Sequence, residues 1–238
     1  MQADPLVQEM LADLGRAAEV RQAFSSGPNL AARRALRLWQ SDRLSRTHAD
    51  LLDSPRYRRG ATFFLTDLYD PHERSTPYAE AARAMPMAVR LLPRSGLETV
   101  ADAWKLDALT ETLDAAMIAQ LGGDAEALTA ARYAVAYRLL DRAADRARQI
   151  DLIGALAVSL QRFCAHRFAG ATLGMMRRPA RLTGFGALQT FLSHGFEALH
   201  DMGDVSEFVD IVATRERRLM NALMMGDASL LDWTPVTP

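Results

Sequence analysis

The chain has 238 residues, 24% of them charged, with a formal net charge of −1, a balance that excludes a disordered polyelectrolyte and bulk attraction to nucleic acid. Hydrophobic residues make up 49%, enough for a sizeable core, and the sole cysteine, Cys164, excludes an intrachain disulfide or a cysteine-based zinc site and fits a reducing compartment. The N-terminus carries early acids and no long apolar core, unlike a signal peptide, and the longest uncharged stretch of the most apolar region, residues 152–161, falls far short of the ~20 residues of a membrane span, so the expectation is a cytoplasmic protein.

Helical periodicity dominates and no strand pattern appears. Asp4-Pro5 supplies an N-cap and a first-turn proline, predicting a first helix that ends near Ser25-Ser26-Gly27-Pro28. A second helix is expected over residues 30–52, before Ser54-Pro55, and a third through Phe63-Phe64-Leu65 to about Tyr69. Residues 70–77 are polar, hold two prolines and read as a loop. Residues 78–92 look helical, with Pro86 expected to kink or split them.

The clearest helix covers residues 98–121, where Leu106, Leu109, Leu113 and Met117 form one stripe. Gly122-Gly123-Asp124 ends it, and an alanine-rich helix follows to residue 140 with Tyr133 and Tyr137 on one face. Residues 146–168 form the next helix, and its 152–160 portion, apolar nearly all round, predicts burial on every side. Residues 170–186 are broken by glycine and proline; helices over 187–202 and 206–225 follow, and residues 226–238 read as a non-helical tail. The expectation is therefore an all-α, compact bundle of about eight to ten helices in a single domain, residues 1–238.

Several segments together carry a resemblance: Arg59-Gly60-Ala61-Thr62-Phe63-Phe64-Leu65-Thr66-Asp67-Leu68-Tyr69 with Pro71, Leu106-Asp107-Ala108-Leu109, Arg178-Pro179-Ala180, and Leu188-Gln189-Thr190-Phe191-Leu192 with Gly195-Phe196 and Arg215-Glu216. The chain beyond about residue 40 resembles an uncharacterised, all-helical bacterial family of unknown function. The resemblance implies a helical fold and a bacterial cytoplasm, and brings no activity to carry over.

Candidate chemistry is sparse. Glu197 and His200 are spaced i and i+3, so both reach one side of a helix; ferritin-like di-iron bundles use two such pairs, and here there is one. The alternative is a solvated helix end. His48, His166 and His194 lie elsewhere and converge only through the fold; an axial histidine would give a haem-binding version of the same idea. Cys164 and His166, i and i+2, do not face each other, which favours a buried structural thiol. Asp107, Glu111 and Asp114 share a helix face at i, i+4 and i+7, as cation ligands or, more simply, a solvated acidic face. Asp151, beside the apolar stretch, needs an arginine partner if buried. Asp67 and Tyr69, within the aromatic segment, are the candidate polar contacts of a small-molecule or cofactor pocket, against plain core packing.

Charge is uneven along the chain. Lys105 is the only lysine, so the cations are nearly all planar guanidinium forks. Residues 16–59 hold ten arginines against four acids; residues 97–126 hold seven acids against Lys105. Three readings follow: internal pairing or solvation of the two regions, self-association of a basic face with an acidic one, or an anionic partner at the arginines. For the last, Arg56, Arg58 and Arg59 flank a tyrosine suited to stacking, without a recognised nucleic-acid motif. With no catalytic constellation complete, the leading expectation is a non-catalytic binding or interaction protein that forms a homo-oligomer. A metal- or cofactor-using helical enzyme is the alternative, and an anion or nucleic-acid binder the third reading.

Overall fold

The computed structural model describes residues 4–69, 78–122, 128–165 and 186–231. The expected loop at 70–77, the cap at 123–124, His166, the broken segment up to residue 185 and the end of the tail lie outside these.

Ten α-helices run in order among the described residues: α1 Pro5–Ala23, α2 Gly27–Thr47, α3 Ala49–Asp53, α4 Arg58–Phe63, α5 Tyr78–Leu91, α6 Arg94–Leu121, α7 Ala130–Leu140, α8 Ala143–Cys164, α9 Gly186–Met202 and α10 Ser206–Met224. Local chemistry sets many of the ends. The Asp4 carboxylate accepts the Leu6 amide at 2.9 Å and Pro5 opens α1, relieving an amide that has no helical partner. Thr129 caps α7 through the Arg132 amide. Gly122 and Gly203 end α6 and α9 at φ +69 and +74, a conformation that a Cβ disfavours.

Two expectations change and one is narrowed. The single helix over 30–52 is two, divided at His48, whose φ of −119° and ψ of 26° leave the helical region. Pro86 does not split α5, which continues through it. The tail expected to be non-helical carries a 3-10 turn at Ser229–Leu231, with Leu231 buried. A π turn, Phe64–Leu68, extends α4; such wide turns recur at functional sites.

The long α6 is the axis of the packing, touching α1, α2, α7 and α8, while α10 lies against α7 and α8 and α9 against α4 and α8. One apolar core gathers Phe63, Leu97, Val100, Leu160, Phe163 and Leu192; a second, at the other end of α6, gathers Leu36, Met117, Tyr133, Leu219 and Leu223. Helix α8 is not buried all round as its apolar stretch suggested. Asp151, Ala155, Val158 and Arg162 form an exposed stripe at i, i+4, i+7 and i+11. Asp151 is paired there with Arg217, in solvent rather than in the core.

Candidate functional site: a polar cavity between the two cores

The acids of α6 are not a solvated face. Glu111 and Asp114 are each only 2% exposed, and they meet buried Arg33, Arg37 and Gln40 of α2. The two sets share one spacing: 33, 37 and 40 on α2, 107, 111 and 114 on α6. Helices in contact thus present matched rows of donors and acceptors. One oxygen of Glu111 accepts from Arg21 Nη2 at 2.6 Å, Arg33 Nη2 at 2.7 Å and Arg37 Nη2 at 3.0 Å. Arg37 Nε and Gln40 Nε2 each donate to Asp114 at 3.3 Å. The hydroxyl of Tyr78 donates to Asp107 at 2.7 Å, and that of Tyr69 to Gln40 Oε1 at 2.5 Å.

Burial and charge pull these carboxyls in opposite directions. Burial raises Glu111, but the guanidiniums of Arg37, Arg21 and Arg33 outweigh it and hold the group below its ordinary range. At Asp107 and Asp114 burial prevails and the carboxyls sit above theirs.

A second cluster joins α2, its break and α10. Arg43 Nη1 donates to both oxygens of Glu216 at 2.6 Å, and His48 Nε2 lies 3.0 Å from Glu216 Oε1. Burial pushes Glu216 up, yet Arg43 and the hydrogen bond from His48 bring it down to about 2. The backbone break at His48 lets the ring turn inward: its residue is 6% exposed.

Between these clusters lies a cavity of about 140 Å³, the size of an engineered cavity that holds benzene. Phe64, Leu106, Ile153, Phe208 and Val212 form apolar wall; Arg37, Arg43, His48, Tyr69, Asp107, Tyr137, Arg146, Gln149 and Glu216 supply the polar groups. Arg146, on α8, is 7% exposed. Its guanidinium lies 4.9 Å over the Tyr137 ring, and Nη1 donates to Gln149 Oε1 at 3.1 Å, while Gln149 in turn donates to Thr110. No carboxylate of the described residues reaches ion-pair distance of Arg146, and its Nη2 is buried without a hydrogen-bond partner. The cavity wall therefore holds three guanidiniums, Arg37, Arg43 and Arg146, against two carboxyls, Asp107 and Glu216.

The residues singled out from the sequence are dispersed. Tyr69, Phe64 and Leu65 line the cavity, but Asp67 meets His194 Nδ1 at 2.6 Å instead, where His194 is half exposed. Glu197 and His200 are both exposed on α9, with the His200 ring stacked on Phe196. Among the described residues no group of three or more histidine, cysteine, aspartate or glutamate side chains is placed to hold a metal ion. Arg56 donates to Glu207 at 2.8 Å and covers the Tyr57 ring, and Arg58 donates to the Leu52 and Asp53 carbonyls at the end of α3. Arg59 also has a partner within the chain. Cys164 is half-buried, with Sγ toward the Phe196 carbonyl, and burial pushes its thiol up to about 12.

The uneven charge of the sequence is thus largely spent inside the chain, since Arg21, Arg33 and Arg37 end on α6 and Arg43 on α10. Sequence reasoning missed Arg146, His48 and Glu216 as neighbours. The repeated i, i+4, i+7 spacing was a usable signal for the first cluster; nothing local marks Arg146 among so many arginines.

The chain matches the family described as a domain of unknown function (DUF8198) over residues 19–230, and it belongs to that family. Comparison with curated proteins and with solved structures finds no match. Among the described residues no helix is long and apolar enough to cross a membrane.

Proposed function

We propose that this member of the family is a binding protein for a small organic anion, held in the cavity with Arg146 as its counter-charge. One observation carries the reading: a guanidinium that is 7% exposed, lines an open cavity and makes no ion pair with a carboxylate among the described residues, with Asp114 acting on it only from beyond contact distance. Leaving a buried cation unpaired is costly. Here the cost is met by a ligand that brings the missing negative charge. The apolar wall and the tyrosine ring beneath the guanidinium suit a carboxylate on a short hydrocarbon or aromatic body. Tyr69 keeps the role of pocket wall that its sequence suggested, and the anion site moves from Arg56, Arg58 and Arg59 to the interior.

The test is calorimetric titration of propionate, butyrate, benzoate and inorganic phosphate into the protein and into Arg146→Met, with the melting temperature of each ligand-free protein. A carboxylate is expected to bind saturably and to lose roughly tenfold or more in affinity in the variant, as for a hydrogen bond to a charged group. The melting temperature of ligand-free Arg146→Met separates lost binding from lost fold, because Arg146 also bonds Gln149 and covers the Tyr137 ring. Carboxylates that do not bind, or that bind both proteins alike, refute the reading; so does a response to phosphate alone, which would leave the apolar wall without a purpose.

A further inference from the structure

The exposed stripe of α8, Asp151, Ala155, Val158 and Arg162, shares no residue with the lining of the cavity. Its middle carries only a methyl and an isopropyl group, and Val158 is 43% exposed. Beside it Gly154, Val209 and Ala213 complete an open groove between α8 and α10. A Cβ at Gly154 would come within 3.0 Å of Val209, so the glycine lets the two helices lie close. The ends of the stripe are charged and opposite in sign. Arg217 holds one oxygen of Asp151, whose side chain is 60% exposed, so the second oxygen is left for a partner. Arg162 donates to Ser159 Oγ at 3.1 Å, which in turn donates to Asp102, but it makes no direct ion pair among the described residues.

We infer that this face binds a second copy of the chain, α8 against α8 in antiparallel order about a two-fold axis. The spacing of the stripe, 4, 3 and 4 residues, reads the same in both directions. A reversed copy therefore meets it in register. Asp151 falls on the partner's Arg162 and Ala155 on the partner's Val158, and symmetry makes each contact twice. Alternating steps of four and three are those of a helix seam, and small side chains let two helices approach closely. Parallel packing would set Asp151 on Asp151 and Arg162 on Arg162, so the charges select the antiparallel order. Beyond the stripe, exposed Arg148 falls opposite the partner's Ala165, so no like charges meet. An unrelated helix has no reason to carry the reversed pattern; a copy carries it by symmetry. Helix α8 has 22 residues, about 33 Å of length. One helix pair of that length buries an area at the low end of specific interfaces, so the dimer is expected to dissociate at micromolar concentrations.

Sedimentation velocity of the full chain, from about 1 to about 200 µM and at about 50 and about 500 mM salt, reads the association. The parent is expected to form a dimer that loosens as salt rises. Asp151→Arg and Arg162→Asp each turn both ion pairs of the dimer into like-charge contacts, and each should weaken association about tenfold or more. The two single variants mixed in equal amounts should associate as a heterodimer, because one brings arginine at both positions and the other aspartate at both. Combined in one chain, the two substitutions should associate as the parent does. A parent that stays monomeric over this range, or single variants that associate as tightly as the parent, overturns the inference. So does a dimer that each single variant weakens and that neither mixing nor combining restores, since the antiparallel pairing requires both. None of these residues lines the cavity, so the anion-binding proposal stands or falls separately.

Discussion

Glu216 offers the sharpest energetic test, because one carboxylate serves two buried partners and replacing it with Gln preserves the shape. The group is 9% exposed and its pKa falls from 4.5 to about 2 on folding. At about 1.4 kcal/mol per pKa unit, ionised Glu216 contributes roughly 3 kcal/mol at neutral pH. Because the folded value lies below the unfolded one, that contribution is fully present above about pH 5 and is lost as pH falls through 4.5 toward 2. Integration of the linkage places about 2 kcal/mol of the loss above roughly pH 3. Glu216→Gln should therefore destabilise the fold by about 3 kcal/mol near pH 7, and the gap from the parent should narrow steadily below about pH 4.5. The subtraction matters, because Asp107 and Asp114 have raised values and favour the fold at low pH, the opposite sign; they are common to both proteins and cancel. Urea denaturation followed by helical circular dichroism, repeated at several pH values where both proteins fold, gives the difference directly. A gap that stays constant down to about pH 3, or a loss under ~1 kcal/mol at neutral pH, would refute the claim that Arg43 and His48 hold this carboxylate ionised.

Two further outcomes follow from burial. Asp151→Asn breaks an ion pair with Arg217 whose side chains are 60% and 47% exposed, so its effect on the urea midpoint should correspond to less than about 1 kcal/mol; a loss as large as that of Glu216→Gln would contradict the placement of the pair in solvent. Cys164, half-buried and with its thiol pushed up to about 12, should react with a disulfide reagent at mildly alkaline pH far more slowly in the folded protein than in urea; equal rates would contradict it.

Helix content and many helix ends were legible because they depend on neighbours in sequence. Asp4 before Pro5 and the glycines after α6 and α9 act within a turn of where they stand, whereas the start of α7 at Ala130, capped by Thr129, falls later than the sequence suggested. Residues 152–160 show where that reading fails: their composition alone suggested burial on every side, yet Ala155 and Val158 are exposed, because the described helices packed on α8 cover its other faces. Residues 78–92 read as helical despite Pro86, and α5 does run through that proline. The acidic row 107, 111, 114 was read as one helix face; the matching row of two arginines and a glutamine at 33, 37 and 40 stood in the sequence with the same spacing.

The sequence by itself determined an all-helical chain and which residues share each helix face, because hydrogen bonds four residues apart and a turn of 3.6 residues are local rules. Only the tertiary structure decided that three arginines converge on Glu111, that Glu216 closes on Arg43 and His48 across more than 160 residues of chain, and that Arg146 lines the cavity with no ion pair among the described residues. Those outcomes depend on which helices pack together and which charges are thereby taken out of water, and burial is a property of the whole packing rather than of any one segment.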